Sequence, residues 1–354
     1  MDAKPEMSAA LQIRKESHLD LVLAGAGIVP ATRNGFDALR FEHCALPELD
    51  LADIDLSTQW LGKRLAAPLL ISSMTGGALR AERINHHLAE AAEVLRIPFG
   101  VGSQRVSLEG ESDSGLTQRL RDLTPSVPLL SNIGAAQLID RKGIDIARRA
   151  LDTIRADALI VHFNPLQEAL QPEGDTNWRG ILRALEQLVQ RLGAPVIVKE
   201  VGAGLSAATA RRLADAGVAA VDVAGSGGTS WAAIEAARGA SDRQRAIAEP
   251  FADWGLPTPR AIASVRASLP DMFVIGSGGI RNGVDAAKAI RLGADLVGQA
   301  AGILGPALDS TEAVIEAYKI TIEQLRISCF CTGAADLQAL RQVSLLSSDG
   351  IFPS

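Results

Sequence analysis

Residues 158–168 read ALIVHFNPLQE, a short apolar run that ends abruptly in polar side chains. The run Ala158–Val161 is partly β-branched, which is typical of a strand buried on both faces of a parallel sheet. Pro165 stops the strand, and the polar residues around it are His162, Asn164, Gln167 and Glu168. Because α/β proteins bind ligands at the carboxyl ends of parallel strands, these four side chains form a first candidate site.

The same alternation of a short apolar run and an amphipathic stretch repeats from Pro68 onward. The eight runs begin at Pro68, Pro98, Pro128, Ala158, Pro195, Ala219, Met272 and Asp295. Helical periodicity lies between them, over Ala81–Leu95, Ile144–Ile154, Ile181–Leu192, Ala207–Ala216, Val284–Leu292 and Glu312–Leu325. Eight consecutive βα units predict a (β/α)₈ barrel, a fold of about 250 residues. A doubly wound open sheet is the alternative, although it rarely needs eight regular units.

Two segments lie outside the predicted barrel. We expect residues 1–67 to form an N-terminal arm that covers the substrate, residues 68–326 to form the barrel, and residues 327–354 to form a Ser-rich tail. Between the sixth strand and the next helix, Ala236–Pro259 reads as a long insertion. Insertions at the active-site face of a barrel are often lids, and a decorated surface loop is the other interpretation.

Composition limits the partners of the chain. Its 354 residues are 47% hydrophobic and carry a formal net charge of -6, which argues against nucleic-acid binding. An anionic ligand therefore needs a local cluster of cations. Three scattered cysteines do not make a disulfide framework, and no run is long or apolar enough for a signal peptide or a membrane span. We expect a cytoplasmic protein without a membrane partner.

Glycine-rich turns follow the last three predicted strands and indicate phosphate binding. They are AGSGGTSW, which includes Thr229, then Ile275–Gly283 and Gly298–Leu304. Glycine lets backbone N–H groups approach a phosphate closely, and a helix N-terminus adds a favourable dipole. Lys199 ends an apolar strand, where a charge is costly without a ligand or an ion-pair partner. We favour a ligand over an ion pair with Glu200, since adjacent strand residues point to opposite faces.

At this point a family resemblance becomes specific. The motifs MTGG, GSQR, SNIG, HFNPLQE, SGGTSW, WGLPT and GSGGIR occur in the order found in type 2 isopentenyl diphosphate isomerases, and RKESHLD in Arg14–Asp20 resembles the N-terminal signature of that family. The resemblance spans residues 12 to 325. It implies an FMN-binding (β/α)₈ barrel that interconverts isopentenyl and dimethylallyl diphosphate with reduced FMN and Mg²⁺. It also implies NADPH as the reductant and a homotetramer or homo-octamer.

The resemblance further assigns roles to individual residues. FMN contacts fall on Met74, Thr75, Gly76, Ser103, Asn132, Lys199 and Thr229, and its phosphate end on Gly279, Ile280, Arg281, Ala300 and Ala301. Substrate contacts fall on Arg14, Lys15, His18, Arg105, His162, Asn164 and Gln167. Glu168 becomes the Mg²⁺ ligand, since Mg²⁺ favours one or two carboxylates together with phosphate oxygens.

The expected catalytic residues are Gln167, acting with N5 of FMN, and His162. Gln167 alone is a poor acid or base, so the resemblance places the proton chemistry on the reduced flavin. Two alternatives are an FMN-dependent oxidoreductase of the 2-hydroxy-acid oxidase type and a non-catalytic flavin-binding barrel. The oxidase needs a histidine base late in the barrel, and no histidine follows His162. The non-catalytic barrel predicts a degraded substrate site, whereas the substrate motifs are present.

Overall fold

The structure is a computed structural model that describes residues 3–29, 34–74, 80–109, 115–140, 142–239 and 241–347, with side chains from residue 13 onward. Its strands are β1 (Leu39–Phe41), β2 (Thr58–Trp60), β3 (Lys63–Leu65), β4 (Leu69–Ile71), β5 (Phe99–Gly100), β6 (Leu129–Gly134), β7 (Ala158–Phe163), β8 (Val196–Glu200), β9 (Ala220–Asp222), β10 (Phe273–Ser277), β11 (Leu296–Gln299) and β12 (Leu345–Ser347). Strands β4 to β11 form a closed barrel, in which consecutive strands are parallel neighbours and β11 closes against β4. The predicted barrel and its eight strands are confirmed.

Helices surround the barrel. They are α1 (Ala3–Leu23), α2 (Ala81–Leu95), α3 (Arg105–Glu109), α4 (Arg119–Leu123), α5 (Gly143–Ile154), α6 (Pro165–Leu170), α7 (Ile181–Leu192), α8 (Ala207–Asp215), α9 (Trp231–Arg238), α10 (Asp242–Ala248), α11 (Thr258–Ser268), α12 (Gly283–Arg291), α13 (Ala301–Asp309), α14 (Thr311–Phe330) and α15 (Leu337–Leu340). The predicted ends of α2 and α7 are correct. Helix α14 runs past the predicted end at Leu325, because buried Ser328 and Cys329 continue its helical spacing.

The predicted insertion Ala236–Pro259 is largely helical rather than an irregular loop. It contains the end of α9, all of α10 and a 3₁₀ turn at Glu249–Phe251. Ser241 caps α10, since its side chain accepts a hydrogen bond from the N–H of Gln244 at 3.2 Å. Asp242, Arg243 and Arg245 therefore lie on a capped and largely exposed helix, and a role as a lid stays a prediction.

The barrel interior is filled by apolar side chains from seven strands, namely Leu70, Leu130, Ile160, Ile197, Ala220, Ile275 and Leu296. Trp60 joins this cluster from the β2–β3 hairpin, which precedes the barrel in the chain. The Trp60 ring stacks on Phe273, with ring centroids 5.1 Å apart. Since Phe273 begins β10, the hairpin closes the amino-terminal end of the barrel and leaves the carboxyl end for ligands.

The segments before and after the barrel contact each other. Strand β1 pairs antiparallel with β12, which joins residues 39–41 to residues 345–347. Helix α14 crosses the predicted boundary at residue 326 without a break. The division into arm, barrel and tail stays a prediction, to which the structure adds that arm and tail share a small sheet.

Candidate active site

A cavity of about 60 Å³ lies where the carboxyl ends of β5, β6 and β7 approach helix α1. Its lining residues are Arg14, Lys15, His18, Ser103, Arg105, Gly134, Ala136, Gln137, His162, Asn164, Gln167, Glu168 and Gln171. All seven residues predicted to bind substrate are among them, together with the predicted metal ligand. The structure thus brings the N-terminal motif and the strand-end motif to one place.

Helix α1 supplies cations to this cavity. One guanidinium nitrogen of Arg14 is 3.3 Å from Oε1 of Gln171 and 3.4 Å from Oε1 of Glu173. Burial, and then the positive charges of Arg14 and Arg105, lower the pKa of Lys15 to about 8. A crowded and partly desolvated cation cluster is costly by itself, and an anionic ligand would relieve that cost.

His162 ends the buried part of β7 and is held by Asn132 of β6. Its Nδ1 lies 2.8 Å from Oδ1 of Asn132, whose Nδ2 donates to the carbonyl oxygen of Val101 at 3.1 Å. Oδ1 of Asn132 therefore accepts the hydrogen bond, so Nδ1 of His162 carries the proton and Nε2 does not. Burial and the charges of Lys15, Lys199 and Arg105 lower the pKa of His162 to about 3. His162 is thus neutral unless a bound anion raises its pKa.

The turn after β7 arranges the other polar groups. Pro165 occupies the first turn of α6, which ends the strand as its ring requires. Nδ2 of Asn164 donates to Oε1 of Glu168 at 2.8 Å and to Oε1 of Gln167 at 3.2 Å. The other carboxylate oxygen of Glu168 accepts from the N–H of Asp175 at 2.7 Å. Asn164 and Asp175 therefore hold the predicted metal ligand in place.

Glu235 on α9 joins the site and was not predicted from the sequence. Its Oε1 lies 2.9 Å from Nε2 of His18 and accepts hydrogen bonds from the amides of Gln167, at 3.1 Å, and Gln171. Its Oε2 accepts from Nε of Arg238 at 3.0 Å. Burial by itself would raise the pKa of Glu235, but the hydrogen bonds, led by that of His18, lower it to about 2.

One signal for Glu235 was present in the sequence. It is the acidic residue of WAAIEAAR, a helix that is apolar except for Glu235 and the terminal Arg238 and that begins at the last residue of the SGGTSW motif. Asp175 was missed as well, and its Oδ2 lies 2.8 Å from a guanidinium nitrogen of Arg105. Within the described residues, no three His, Cys, Asp or Glu side chains form a metal-binding cluster.

The residues predicted to contact FMN lie at the same rim, mostly after the ends of successive strands. Met74, Ser103, Thr229, Ala300 and Ala301 are partly buried there. Thr75 and Gly76 lie outside the described residues. Ser103 also lines the substrate cavity. The side chain of Asn132 is bonded to Val101 and His162, and its backbone N–H and carbonyl are both bonded to Gln104, so a contact with FMN would have to be added to these bonds.

Lys199 has a different partner from the one considered in the sequence. Its Nζ donates to the backbone carbonyl of Glu200 at 2.8 Å and lies 3.6 Å from Oδ2 of buried Asp222 on β9. The carboxylate of Glu200 instead accepts from the four N–H groups of residues 201–204. Burial raises the pKa of Glu200. Lys199 thus forms an ion pair across two strands and still lies at the rim, where its role toward FMN stays a prediction.

The glycine turns after β9 and β10 pack backbone against backbone. A Cβ atom on Gly228 would lie 2.5 Å from the nitrogen of Gly279, so a side chain there would push the turns apart. Gly278 and Gly279 have φ of +104° and +70°, which favours glycine. Nδ2 of Asn34 donates to the carbonyl of Gly279 at 2.7 Å and fixes the turn from outside. Within the described residues, the N–H groups of Gly279 and Ile280 have no acceptor, as a phosphate cradle requires.

Arg281, in the same motif, is already paired. Its guanidinium is 2.8 Å from Asp37 and 3.1 Å from Asp285, and its N–H donates to Asp285. These bonds use Nε and one terminal nitrogen of the guanidinium, so the predicted contact with the phosphate end of FMN would fall to the other terminal nitrogen.

Unpartnered polar atoms at the rim fit a polar cofactor. In the described part of the chain, the buried hydroxyls of Ser72 and Ser73 after β4 and Oε1 of Gln299 on β11 have no hydrogen-bond partner. Buried polar groups are nearly always satisfied, so a ligand or water is expected at these atoms. The donors and acceptors at this rim are of the kind that a flavin ring and its phosphate would use.

Several known proteins of similar sequence share one name. The family model for FMN-dependent dehydrogenases matches residues 24–119 and 116–347. An isopentenyl-diphosphate delta-isomerase of Stutzerimonas stutzeri is 63% identical over 95% of this chain and 97% of that protein. The same-named protein of Synechocystis is 47% identical over 94% of this chain and 95% of its own length.

Solved structures with the same fold are more distant in sequence. A mandelate oxidase solved with a monooxide FMN adduct superposes with a TM-score of 0.63 over 94% of this chain and 92% of its own, at 17% identity. A lactate oxidase of Pediococcus acidilactici gives a TM-score of 0.66 at 16% identity, over 93% and 94% of the two chains. At this identity the likeness establishes the fold alone. In the described residues, no helix is long and apolar enough to cross a membrane. The chain belongs to the FMN-dependent dehydrogenase family and, with its close relatives, to the isopentenyl-diphosphate delta-isomerases.

Proposed function

We propose that this protein interconverts isopentenyl diphosphate and dimethylallyl diphosphate, with FMN as its cofactor, Mg²⁺ at Glu168 and NADPH as the reductant of the flavin. The observation that carries the proposal is the convergence of α1 and the turn after β7 on one cavity. The two segments carry RKESHLD and HFNPLQE, two of the motifs on which the resemblance to these isomerases rests. The 2-hydroxy-acid oxidase alternative is not favoured, since the close relatives are all named as isomerases.

The cation cluster suits a diphosphate. Arg14, Lys15 and Arg105 line the cavity of a chain whose net charge is -6, so positive charge is concentrated at this one place. Arginine can bind phosphate oxygens in a bidentate manner, and lysine adds a point charge. Glu168 would hold Mg²⁺ on the diphosphate, with Asn164 orienting the carboxylate. Asp175 would release Arg105 when the stronger anion binds.

The isomerisation adds one proton at the terminal alkene carbon and removes another from the allylic position, with no net redox change. Bound reduced FMN would supply the acid–base chemistry at its N5 atom. Gln167 would place the alkene, and its own amide is held by Glu235 at 3.1 Å. His162, neutral and bonded to Asn132, would present Nε2 toward the diphosphate and take a proton when that anion raises its pKa.

The cofactor would rest on the rim residues already described. Lys199 would lie beside the ring, and the N–H groups of Gly279 and Ile280 would receive the phosphate. A cytoplasmic location and a homotetramer or homo-octamer complete the proposal. Size-exclusion chromatography with light scattering measures the oligomeric state directly.

An anaerobic assay tests the function. Purified protein with FMN, NADPH and Mg²⁺ should convert isopentenyl diphosphate into dimethylallyl diphosphate, and the oxidised protein should be yellow. NADPH should be needed only to reduce the flavin, so photoreduced protein should turn over without it. Absence of isomer, or net oxidation of the substrate, would overturn the proposal.

The metal assignment has its own test. Glu168→Gln should raise the Mg²⁺ concentration needed for half-maximal turnover by about ten- to a hundredfold, since an interaction with a charged group is worth on the order of 1.5–3 kcal/mol. Flavin binding should not change, because Glu168 lies on the substrate side of the site. Glu316→Gln, at an exposed position of α14, is the matched control, and an equal effect in both variants would contradict the assignment.

A further inference from the structure

Arg80 lies outside the cavity, at the residue that precedes helix α2. The five residues before it, 75–79, are outside the described part of the chain and include the predicted FMN contacts Thr75 and Gly76. Its side chain is about one-third exposed and points toward helix α1. Arg80 therefore follows, in the sequence, the segment predicted to contact the flavin, and its side chain contacts the helix that brings cations to the substrate.

Two carboxylates of α1 hold Arg80. The guanidinium contacts Oε2 of Glu16 through one terminal nitrogen at 2.9 Å and through Nε at 3.1 Å. The same terminal nitrogen bonds to Asp20, and the backbone N–H of Arg80 donates to Oε1 of Glu16 at 3.2 Å. A side-chain fork and a backbone donor thus converge on Glu16, which fixes geometry better than a single surface ion pair does.

The contacts lie on the face of α1 opposite to the cavity. Arg14 and His18 are one helical turn apart and face the site, whereas Glu16 and Asp20 are one turn apart and face Arg80. Helix positions two residues apart are separated by about 200°, so the two pairs point in nearly opposite directions. Arg80 consequently braces α1, which means that it holds the helix from the face that points away from the cavity.

We propose that Arg80 is a positioning residue for substrate binding. It holds α1 in place through Glu16 and Asp20. As a result, the three residues of α1 that line the cavity, Arg14, Lys15 and His18, reach the diphosphate. The inference rests on the proposed function and adds a physical link between the start of α2 and the substrate cations. Arg80 itself does not touch the substrate. Its effect is the removal of freedom from α1 before the diphosphate arrives, which lowers the entropy cost of binding.

Steady-state kinetics of Arg80→Ala test this role. The KM for isopentenyl diphosphate should rise about five- to tenfold, as expected when a partly buried charged network is lost. The kcat should change less than twofold, and the Kd of FMN, measured by flavin fluorescence, should stay within twofold. Arg83→Ala is the matched control, since Arg83 is exposed on the same helix and forms no ion pair in the described residues.

A double-mutant cycle distinguishes bracing from direct contact. If Arg80 braces α1, then Glu16→Gln should also raise KM, and the Arg80→Ala and Glu16→Gln effects should not add. If Arg80 binds the diphosphate directly, removal of its competitor Glu16 should lower KM, and that outcome overturns the inference. The Kd of inorganic pyrophosphate with Mg²⁺, measured by calorimetry, should follow KM in each variant.

The remaining outcomes distinguish a failure of the bracing role from a failure of the proposed function. Arg80→Lys should restore part of the binding, and it serves as the test variant if Arg80→Ala does not fold. If the parent protein isomerises the substrate but Arg80→Ala and Arg80→Lys keep the parent KM, the bracing role is wrong and the proposed function stands. If the parent protein forms no isomer, the proposed function is wrong, and the bracing role that rests on it is wrong as well.

Discussion

His18 on the N-terminal helix and Glu235 on α9 meet at 2.9 Å, with both side chains almost completely buried. The contact joins α1 to the barrel through a carboxylate that also orients Gln167. A buried carboxylate is costly unless it is fully hydrogen-bonded, and Glu235 has four nitrogen neighbours. The same carboxylate therefore holds both α1, the helix that carries two substrate cations, and Gln167, the residue predicted to face the alkene.

Glu235→Gln should lower kcat at saturating isopentenyl diphosphate by about ten- to a hundredfold. The reason is that hydrogen bonds to a charged acceptor contribute roughly 1.5–3 kcal/mol, and the orientation of Gln167 relies on one of them. FMN affinity should be unchanged. Glu249→Gln, an exposed carboxylate of the same insertion, is the control. A kcat within twofold of the parent would show that Gln167 is oriented by other groups.

The substrate KM should rise as pH increases above about 8. Burial and neighbouring cations lower the pKa of Lys15 to about 8, so Lys15 loses its charge there, whereas an ordinary lysine stays charged to about 10.5. Lys15→Arg should remove this alkaline rise, because arginine does not titrate in the range. Lys319→Arg, at an exposed position, should retain it. The check is KM measured from pH 7 to 9.5, and an unchanged profile in Lys15→Arg would contradict the assignment.

His162 should make the folded protein more sensitive to acid. Its pKa is about 3 in the folded state and near 6.5 when unfolded, so between these values only the unfolded chain binds the proton. The contribution to the free energy of unfolding is present above pH 6.5 and is lost as pH falls toward 3. At pH 5 the loss is roughly 2 kcal/mol, from about 1.4 kcal/mol per pH unit.

His162→Gln should not show this loss. Urea unfolding at pH 7.5 and pH 5 measures the difference between variant and parent, in which other titrating groups cancel. His43→Gln, at an exposed position, should behave as the parent. Equal acid sensitivity of His162→Gln and the parent would mean that His162 is protonated in the folded protein.

Trp60→Ala should destabilise the protein by about 3–5 kcal/mol without lowering kcat at 25 °C. Trp60 packs into the amino-terminal end of the barrel against Phe273, and truncation of a buried aromatic side chain leaves a cavity there. The active site lies at the opposite end. Trp254→Ala is the control, because Trp254 is 60% exposed. Equal midpoints of thermal unfolding in the two variants would show that the hairpin does not close the barrel.

The barrel could be predicted because its strands are short apolar runs between amphipathic helices. Parallel strands covered on both faces must be apolar, so each run was visible without any knowledge of its neighbours. Their order and right-handed crossovers then follow from general rules for βα units. The polar residues of the β7 turn were also readable, since a polar group at a strand end points to the rim where ligands bind.

Contacts between distant segments could not be predicted from the sequence in the same way. The sequence placed Lys199 beside Glu200, but the barrel register places it opposite Asp222 on the next strand. Sequence periodicity indicates which face of a strand or helix is buried, and it does not indicate which element covers that face. Glu200 itself binds four backbone N–H groups, an arrangement that depends on the path of the following loop.

The sequence by itself determined the closed parallel barrel, the rim at which its ligands bind, and the identity of most side chains in the cavity. Only the tertiary structure decided that Glu235 contacts both α1 and Gln167, that Arg80 contacts α1, and that burial lowers the pKa of His162. From the sequence alone, a charged residue on a helix is predicted to be exposed to solvent, because the segments that pack over it are not known. Its pKa and its partners are properties of that packing, which no single segment of the chain contains.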